Sequence, residues 1–402
     1  MKKVTIIGIG LGAGTMTPVA REAIEQAEVL FGAPRVLELC KDMPIPSYPY
    51  CLPDDVAALI GSENAREFAV LVSGDVGFYS AAAGLCDALA EHDLRFVPGI
   101  STVSAFFARL KLPWQDAAFV SAHGRKANVV DTVRRNRLTF CLTGNNANEI
   151  GTALCKAGFG HIQTHIGENL GTEQEQVCET VVKALVQRDF PSLTVLLFVN
   201  ERFDDRTPCG LPDSYFSRLA GIPMTKSEIR AVILSKLGLR PADICWDIGA
   251  GTGSVTAEMA LFAYCGHVYA VERREAAISL IEQNCAFFHL GNVTALCGEA
   301  PVVLETLPVP DAVFIGGSGG ELSAIIFSVL AKNPDARIVV TAVTVETVST
   351  ALAAFSQAGL EPEIVQINVA RGNQVGGLHL MEAQNPVTIL SAGGRSAAGG
   401  KP

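Results

Sequence analysis

A chain of 402 residues is too long for one ordinary core and implies two or three domains. Hydrophobic residues make up 49% and charged ones 18%, which supplies ample burial and excludes disorder outside the ends. The net charge is −10, with acidic residues in excess in both halves, so the basic balance of a nucleic-acid binder is excluded.

The first half alternates strand and helix signals. VTIIGIG reads as a strand, TPVAREAIEQA as a helix and EVLFGA as a strand, followed by a Pro/Tyr-rich loop, PIPSYPYCLP. A helix around DDVAALIGS leads into the buried strand EFAVLVSGD, then the helix SAAAGLCDALAEH and the strand RFVPGIST, which runs into a loop. A second segment begins at Ala117: strand AAFVSAHGR, helix NVVDTVRRN, strand LTFCLTG, helix NEIGTALCKAG, then HIQTHIGENL and the strand LTVLLFVN. Apolar runs flanked by Gly and Pro argue for parallel strands with helical crossovers.

Residues 203–223 are polar and proline-punctuated, as expected for a linker. A capped helix follows from Thr225, with Ile229, Val232, Ile233 and Leu237 on one face and Gly238 at its end. Strand–helix alternation then continues to Leu390, and residues 391–402 read as a disordered, low-complexity tail. The expected domains are therefore 1–202, with subdomains of about 1–115 and 116–202, and 224–390.

Eleven cysteines form neither a C-x-x-C pair nor a zinc-spaced Cys/His cluster, and read as reduced, mostly buried thiols of a cytoplasmic protein. His161 and His165 share a four-residue spacing, but HIQTHIG reads as a strand without a third ligand, so no metal is expected. No apolar run approaches the ~18 residues that span a bilayer, and a soluble chain without a membrane partner is expected.

The segment ICWDIGAGTGSVTAEMA, Ile244 to Ala260, carries the strongest chemical signal. Asp247 ends a strand, Gly249, Gly251 and Gly253 form a turn, and a helix starts at Ser254 with its free N–H groups facing a ligand. A second strand, HVYAVE, ends at Glu272, placed to accept hydrogen bonds from a ribose diol. The spacing D-x-G-x-G-x-G differs from the dinucleotide G-x-G-x-x-G, which argues against an NAD-dependent dehydrogenase. It resembles motif I of S-adenosylmethionine (SAM) dependent methyltransferases with a seven-stranded Rossmann-like sheet. A nucleic-acid methyltransferase on that fold would need a basic groove, which the acidic balance opposes.

In the first half, GIGLGAG (Gly8 to Gly14), SGDVGFY (Ser73 to Tyr79) and PGIST (Pro98 to Thr102) are glycine-rich loops at strand ends, where open parallel sheets collect ligands. They are either one shared crevice or three ordinary turns. With HGR (His123 to Arg125) and ENLG (Glu168 to Gly171), their order resembles the tetrapyrrole methylase family over about residues 1–202. That family binds SAM between two α/β subdomains. The resemblance implies contacts to SAM from Gly10, Gly12, Gly74, Asp75, Tyr79, Ser101 and Thr102. Tyr79 either stacks on a ring or packs in the core. Leu11 and Val76 stand where that family usually has proline, which leaves open a second reading of this unit as a ligand-binding or assembly module.

From residue 224 on, MTKSEIRAVILSKL, WDIGAGTGSVTAE, GEAP, PDAVFIGGSGG and TAVTVET resemble the decarboxylating methyltransferases of cobalamin biosynthesis. The two units in this order, joined by GLPDSYF, are similar to the bifunctional C5,15-methyltransferases (decarboxylating) that act on precorrin-6B or its cobalt form. The resemblance implies an α/β chain with a tetrapyrrole-methylase fold followed by a Rossmann-like methyltransferase domain. It also implies SAM as donor, methylation at position 5 by the first unit and at position 15 by the second, loss of CO₂ from the ring C acetate, and a homo-oligomer.

On that basis Thr225, Gly249, Ala250, Gly251, Thr252, Gly253, Glu272 and Ala300 would hold SAM in the second unit. Glu299 is either an adenine-side group or a solvated strand end. Gly316, Gly317, Gly319 and Gly320 either seat a large flat substrate or form a structural turn. A polycarboxylate substrate and an acidic protein demand local cations, and the candidates are Arg125, Lys126, Lys226, Arg230 and Arg371. No nucleophile–base constellation stands out; His123, in a strand-end loop, is the candidate substrate contact or proton donor.

Overall fold

The computed structural model describes residues 2–50, 52–124, 127–204 and 209–394. Strands and helices alternate along it, as the α/β class requires. Two compact units emerge: one of Met1–Val129, Asn136–Thr152 and Gly160–Arg202, the other of Val130–Arg135, Ala153–Phe159 and Phe203–Pro402.

The first unit contains two sheets. In the first, β1 (Lys3–Gly8), β2 (Val29–Gly32), β3 (Ser47–Pro49), β4 (Glu67–Val72) and β5 (Asp93–Val97) run parallel in the order β3-β2-β4-β1-β5. Being covered on both faces, β1 and β4 are buried from their second residue on, and the buried stretch of β4 is wholly apolar. Val4, Ile6, Phe68 and Val70 pack to one side, and Ile7, Ala69 and Leu71 to the other. Strand β3 lies in the Pro/Tyr stretch expected to be a loop; as an edge strand it tolerates Pro49. The PGIST loop leads into a helix, Thr102–Leu110, that the sequence reading omitted. Ser101 caps it by accepting from the Ser104 N–H at 3.1 Å, and Phe106 and Phe107 bury its inner face.

The second sheet corrects the expectation of parallel strands. Here β6 (Ala117–Ser121), β7 (Leu138–Leu142), β8 (Gln163–Glu168), β9 (Gln176–Val181) and β10 (Thr194–Val199) order as β6-β7-β10-β8-β9. Only β6–β7 is parallel; every other pair is antiparallel. For β8–β9 the connection dictates this, since the chain between them is too short for a helical crossover. Strand β9 itself, QVCETV, was not foreseen because it is an exposed edge without an inward apolar face.

In the second unit, β11 (Ile244–Ile248), β12 (His267–Glu272), β13 (Val293–Cys297), β14 (Ala312–Ile315), β15 (Arg337–Ala342), β16 (Glu363–Ile367) and β19 (Val387–Ala392) form one sheet. Its order is β13-β12-β11-β14-β15-β19-β16, parallel as far as β15, with β19 antiparallel to both neighbours. A separate hairpin joins β17 (Ala370–Val375) to β18 (Leu378–Ala383). Trp246, Ile248, Val313 and Ile338 pack on one face of the large sheet, and Cys245, Val268, Phe314 and Val339 on the other.

Helix Ser227–Leu237 ends at Gly238 (φ 53°) as expected, but its start differs. Thr225 is not the cap; Asp213, fourteen residues upstream, accepts from the Ser227 N–H at 3.0 Å. Leu234 joins Ile229, Ile233 and Leu237 in the buried face, whereas Val232 is only half-buried. Ser391 and Ala392, expected in the tail, complete β19 opposite Val339 and Ile338. The described cysteines are all free thiols; Cys178, Cys209, Cys265 and Cys297 are exposed, so the expectation of mostly buried thiols needs correction.

Candidate functional site

Each unit carries a pocket at the carboxyl ends of its parallel strands. In the second unit, β11 is flanked by β12 on one side and β14 on the other, and the crevice opens where the chain reverses its direction of strand addition. The pocket there encloses about 440 Å³. Of the expected donor-binding residues, Thr225, Gly249, Ala250, Gly251, Glu272 and Ala300 line it, as do Glu299, Gly316, Gly317 and Gly319.

Bare backbone makes this wall possible. A Cβ on Gly251 (φ 56°) would stand 2.7 Å from the Pro223 carbonyl oxygen, and one on Gly249 (φ 73°) 2.5 Å from that of Gly317. Thr252 and Gly253 lie behind the wall. Thr252 is buried, and its carbonyl accepts from Asn284 Nδ2 at 2.7 Å. Gly253 (φ 75°) opens helix Ser254–Phe262, where a Cβ would press on Ile281 at 3.0–3.1 Å.

Glu272 is almost wholly buried. One carboxylate oxygen accepts from the Gly251 N–H at 3.1 Å, and the other from the Arg274 backbone N–H at 3.2 Å and its Nε at 3.3 Å. The side chain therefore fixes the glycine turn while still bordering the pocket. Beneath it Asp247 is fully buried, accepting from Thr256 Oγ1 at 2.5 Å through one oxygen; the other oxygen has no hydrogen-bond partner among the described residues. Burial, reinforced by the Glu272 charge, pushes the Asp247 carboxyl up to about 7.

The expected cations fare differently. Arg230 is wholly buried: it donates to Glu258 Oε1 at 2.6 Å, to Asp213 Oδ1 at 2.9 Å, to the Thr225 carbonyl at 2.5 Å and to the Leu211 carbonyl. Glu258 in turn accepts from the Gly210 and Leu211 N–H groups at 2.7 and 3.0 Å. Arg371 is bound to Asp213 Oδ2 at 3.1 Å and to Glu228 Oε2 at 2.5 Å. Arg230 is thus an internal strut, while Arg371 is half-buried and engaged with two carboxylates; neither lines the pocket. Lys226 precedes its helix and does not line the pocket. Arg125 and Lys126 lie outside the described residues. Arg273 and Arg274, which do line the pocket, were missed; the signal was their position directly after Glu272.

The first unit's pocket encloses about 290 Å³. Gly74, Asp75, Tyr79, Ser101, Thr102 and His123 line it, with Leu11, Arg35, Phe78 and Thr143 among residues that the sequence reading did not assign there. Gly10 and Gly12 do not. Gly10 (φ 77°) exchanges two backbone hydrogen bonds with Gly74, at 2.8 and 3.1 Å. A Cβ on Gly12 would stand 2.3 Å from the Gly171 carbonyl oxygen, so this glycine lets the ENLG loop approach. The Asp75 carboxylate ties the loops together, accepting from the Gly77 N–H at 2.8 Å and the Gly99 N–H at 3.1 Å.

Leu11 occupies the pocket wall, and Val76 packs against the first-sheet core, so both positions without proline are filled structurally. Tyr79 adopts φ 47°, donates to the Phe119 carbonyl at 3.2 Å and meets Phe78 edge-on. His123 Nδ1 stands 3.3 Å from the Thr143 carbonyl oxygen. When Nδ1 carries the proton and donates there, Nε2 is left as an acceptor. His165 lies in β8, with Nδ1 3.7 Å from Glu179. Among the described residues no group of three or more His, Cys, Asp or Glu could hold a metal ion. None of the described helices is long and apolar enough to cross a membrane.

Two family models match the chain: tetrapyrrole (corrin/porphyrin) methylases over residues 3–186 and a precorrin methyltransferase domain over residues 219–393. A precorrin-6Y C(5,15)-methyltransferase (decarboxylating) from Sinorhizobium sp is 29% identical over 401 residues, covering 96% of this chain and 95% of that relative. A probable cobalt-precorrin-6B C(15)-methyltransferase (decarboxylating) from Pyrobaculum calidifontis is 44% identical over 185 residues, 46% of this chain and 95% of the relative. A crystal structure of precorrin-6y C5,15-methyltransferase from Geobacter metallireducens shares 38% identity, covering 46% of this chain and 96% of that one, with a TM-score of 0.44.

Proposed function

The chain belongs to the decarboxylating precorrin methyltransferases, and from that membership we propose that it carries out two C-methylations of a precorrin-6-type tetrapyrrole in cobalamin biosynthesis, together with loss of CO₂ from the ring C acetate. The carrying observation is that two separate strand-end pockets occur on one chain, one in each family-matched half. Position 5 is assigned to the first unit and position 15, with the decarboxylation, to the second.

SAM is the donor we assign to both pockets; when bound, it supplies an activated methyl carbon on a sulfonium. The second pocket suits such a ligand because Gly249 and Gly251 present bare backbone in its wall, where a Cβ would collide with Gly317 and Pro223, and a buried carboxylate, Glu272, borders it. Gly249, Ala250 and Gly251 would face the amino-acid portion and Glu272 the ribose. In the first pocket, the loops pinned by Asp75 and the lining hydroxyls of Ser101 and Thr102 would hold the donor.

An enamine-like ring carbon is already electron-rich, so the residues need supply alignment more than a strong base. Orientation can contribute roughly 7–11 kcal/mol in favourable cases. His123, with a ring nitrogen free to accept, is the candidate that moves a proton in the first pocket.

The test is to supply purified full-length chain with labelled SAM and precorrin-6B, then count methyl groups gained and CO₂ released. Two methyls and one CO₂ are expected, and titration should find two SAM sites per chain. A single SAM site with one methyl transferred would instead favour the first unit as a binding or assembly module.

A further inference from the structure

We propose that Arg273 is the residue of the second pocket that grips a carboxylate of the tetrapyrrole; this rests on the function proposed above. The protein is acidic overall, so long-range attraction cannot draw in a polycarboxylate, and recognition must come from a cation at the site itself. Five formally charged side chains line the pocket: Glu272, Glu299, Glu321, Arg273 and Arg274. Arg274 is engaged, with Nε on Glu272 at 3.3 Å and Nη1 on the Gly221 carbonyl at 2.7 Å. Arg273 differs. Its exposed guanidinium forms no hydrogen bond or ion pair with any described residue.

Its placement is also specific. Nη1 lies 3.6 Å from where a Cβ on Gly319 would stand, so the guanidinium sits beside the glycine loop that follows β14. Gly319 holds φ 61°, a backbone conformation in which an L side chain would be strained. The pairing thus puts a planar, permanently charged fork next to bare backbone, where a large flat ligand can approach. Such a fork matches a carboxylate through two parallel hydrogen bonds, a geometry that lysine does not reproduce. Of the cations that the sequence pointed to in this unit, Arg230 and Arg371 are spent on Asp213, Glu228 and Glu258, and Lys226 does not line the pocket.

The experiment uses the full chain with Arg273→Ala and Arg273→Lys. It measures kcat and KM for 15-methylation of precorrin-6B, direct binding of the tetrapyrrole by its absorbance, and the SAM dissociation constant of the second site. Because Arg273 is exposed, neither variant threatens folding. Arg273→Ala should raise KM and weaken tetrapyrrole binding roughly tenfold or more, the range of a lost charged hydrogen bond. SAM affinity should stay within about twofold, the lysine variant should recover only part of the loss, and the salt dependence of KM should flatten. Unchanged tetrapyrrole binding in Arg273→Ala overturns the proposal, as does a loss of SAM affinity that matches the rise in KM. A wild-type chain that never methylates position 15 overturns the underlying function instead, and is recognised by its own missing product.

Discussion

The two pockets solve a similar binding problem with different materials. The second is walled by glycine backbone and bordered by five charged side chains, most of them drawn from two strand ends and the loop after β14. The first is assembled from many short, distant segments around Leu11, Arg35, Ser73–Tyr79, Ser101, Ser121, Leu142, Leu170 and Ser192–Val195, and is lined mainly by apolar groups and hydroxyls. The contrast teaches that a pocket built from consecutive residues announces itself as a motif. One assembled from both sheets of a unit shows only in part, through loops such as SGDVGFY and PGIST, because its remaining residues are spread thinly along the chain.

Breaking one pocket should leave the other working. Glu272→Ala removes both the anchor of the Gly251 turn and the assigned ribose contact. It should reduce 15-methylation by two orders of magnitude or more, since charged hydrogen bonds are worth about 1.5–3 kcal/mol each, while 5-methylation persists. Equal loss of both products, measured by mass spectrometry, would contradict the division of labour. The mirror variant is Asp75→Ala, which frees the Gly77 and Gly99 N–H groups. It should lower 5-methylation roughly tenfold or more and spare position 15.

The next expected effect concerns stability. Glu258→Gln leaves the wholly buried Arg230 short of a counter-charge. Breaking a buried pair in this way costs about 3–5 kcal/mol, so the thermal transition of the second unit should fall well below that of the first. A single unchanged transition would show that the pair contributes little.

The smallest effect is a pH slope. Asp247 is held up at about 7 by burial, against an ordinary value of 3.8, so the folded chain keeps a proton that the unfolded chain releases. Its stabilising contribution is complete below 3.8 and is lost as pH rises through about 7. The Tm of the second unit should therefore decline from pH 6 to pH 8, and Asp247→Asn should flatten that slope.

Much of this was legible beforehand. Strand β4 carries an uninterrupted apolar run, and the runs of β1 and β11 are broken only by Thr5 and Asp247, as a doubly covered sheet requires; the α/β class followed from them. The turn at Gly249–Gly253 and the strand ending at Glu272 identified the second pocket because their spacing is local. What escaped had physical causes. Strand β9 is exposed and lacks alternation, so nothing in QVCETV separates it from a loop. Arg230 stood as a candidate substrate cation because its partners Asp213 and Glu258 lie 17 and 28 residues away in sequence, beyond any helical spacing. Arg35 carried no motif; its Nη2 stands 3.2 Å from Ser73 Oγ only because β2 and β4 are neighbours.

The clasp of Glu258 on the Gly210 and Leu211 amides sets where the second half can be cut free. A fragment starting at residue 224, the boundary that composition suggests, would lose Asp213 and the Leu211 carbonyl and strand a guanidinium inside the protein. Excision upstream of Gly210 keeps every one of those partners, so the stretch that looks like a tether belongs, energetically, to the domain it introduces.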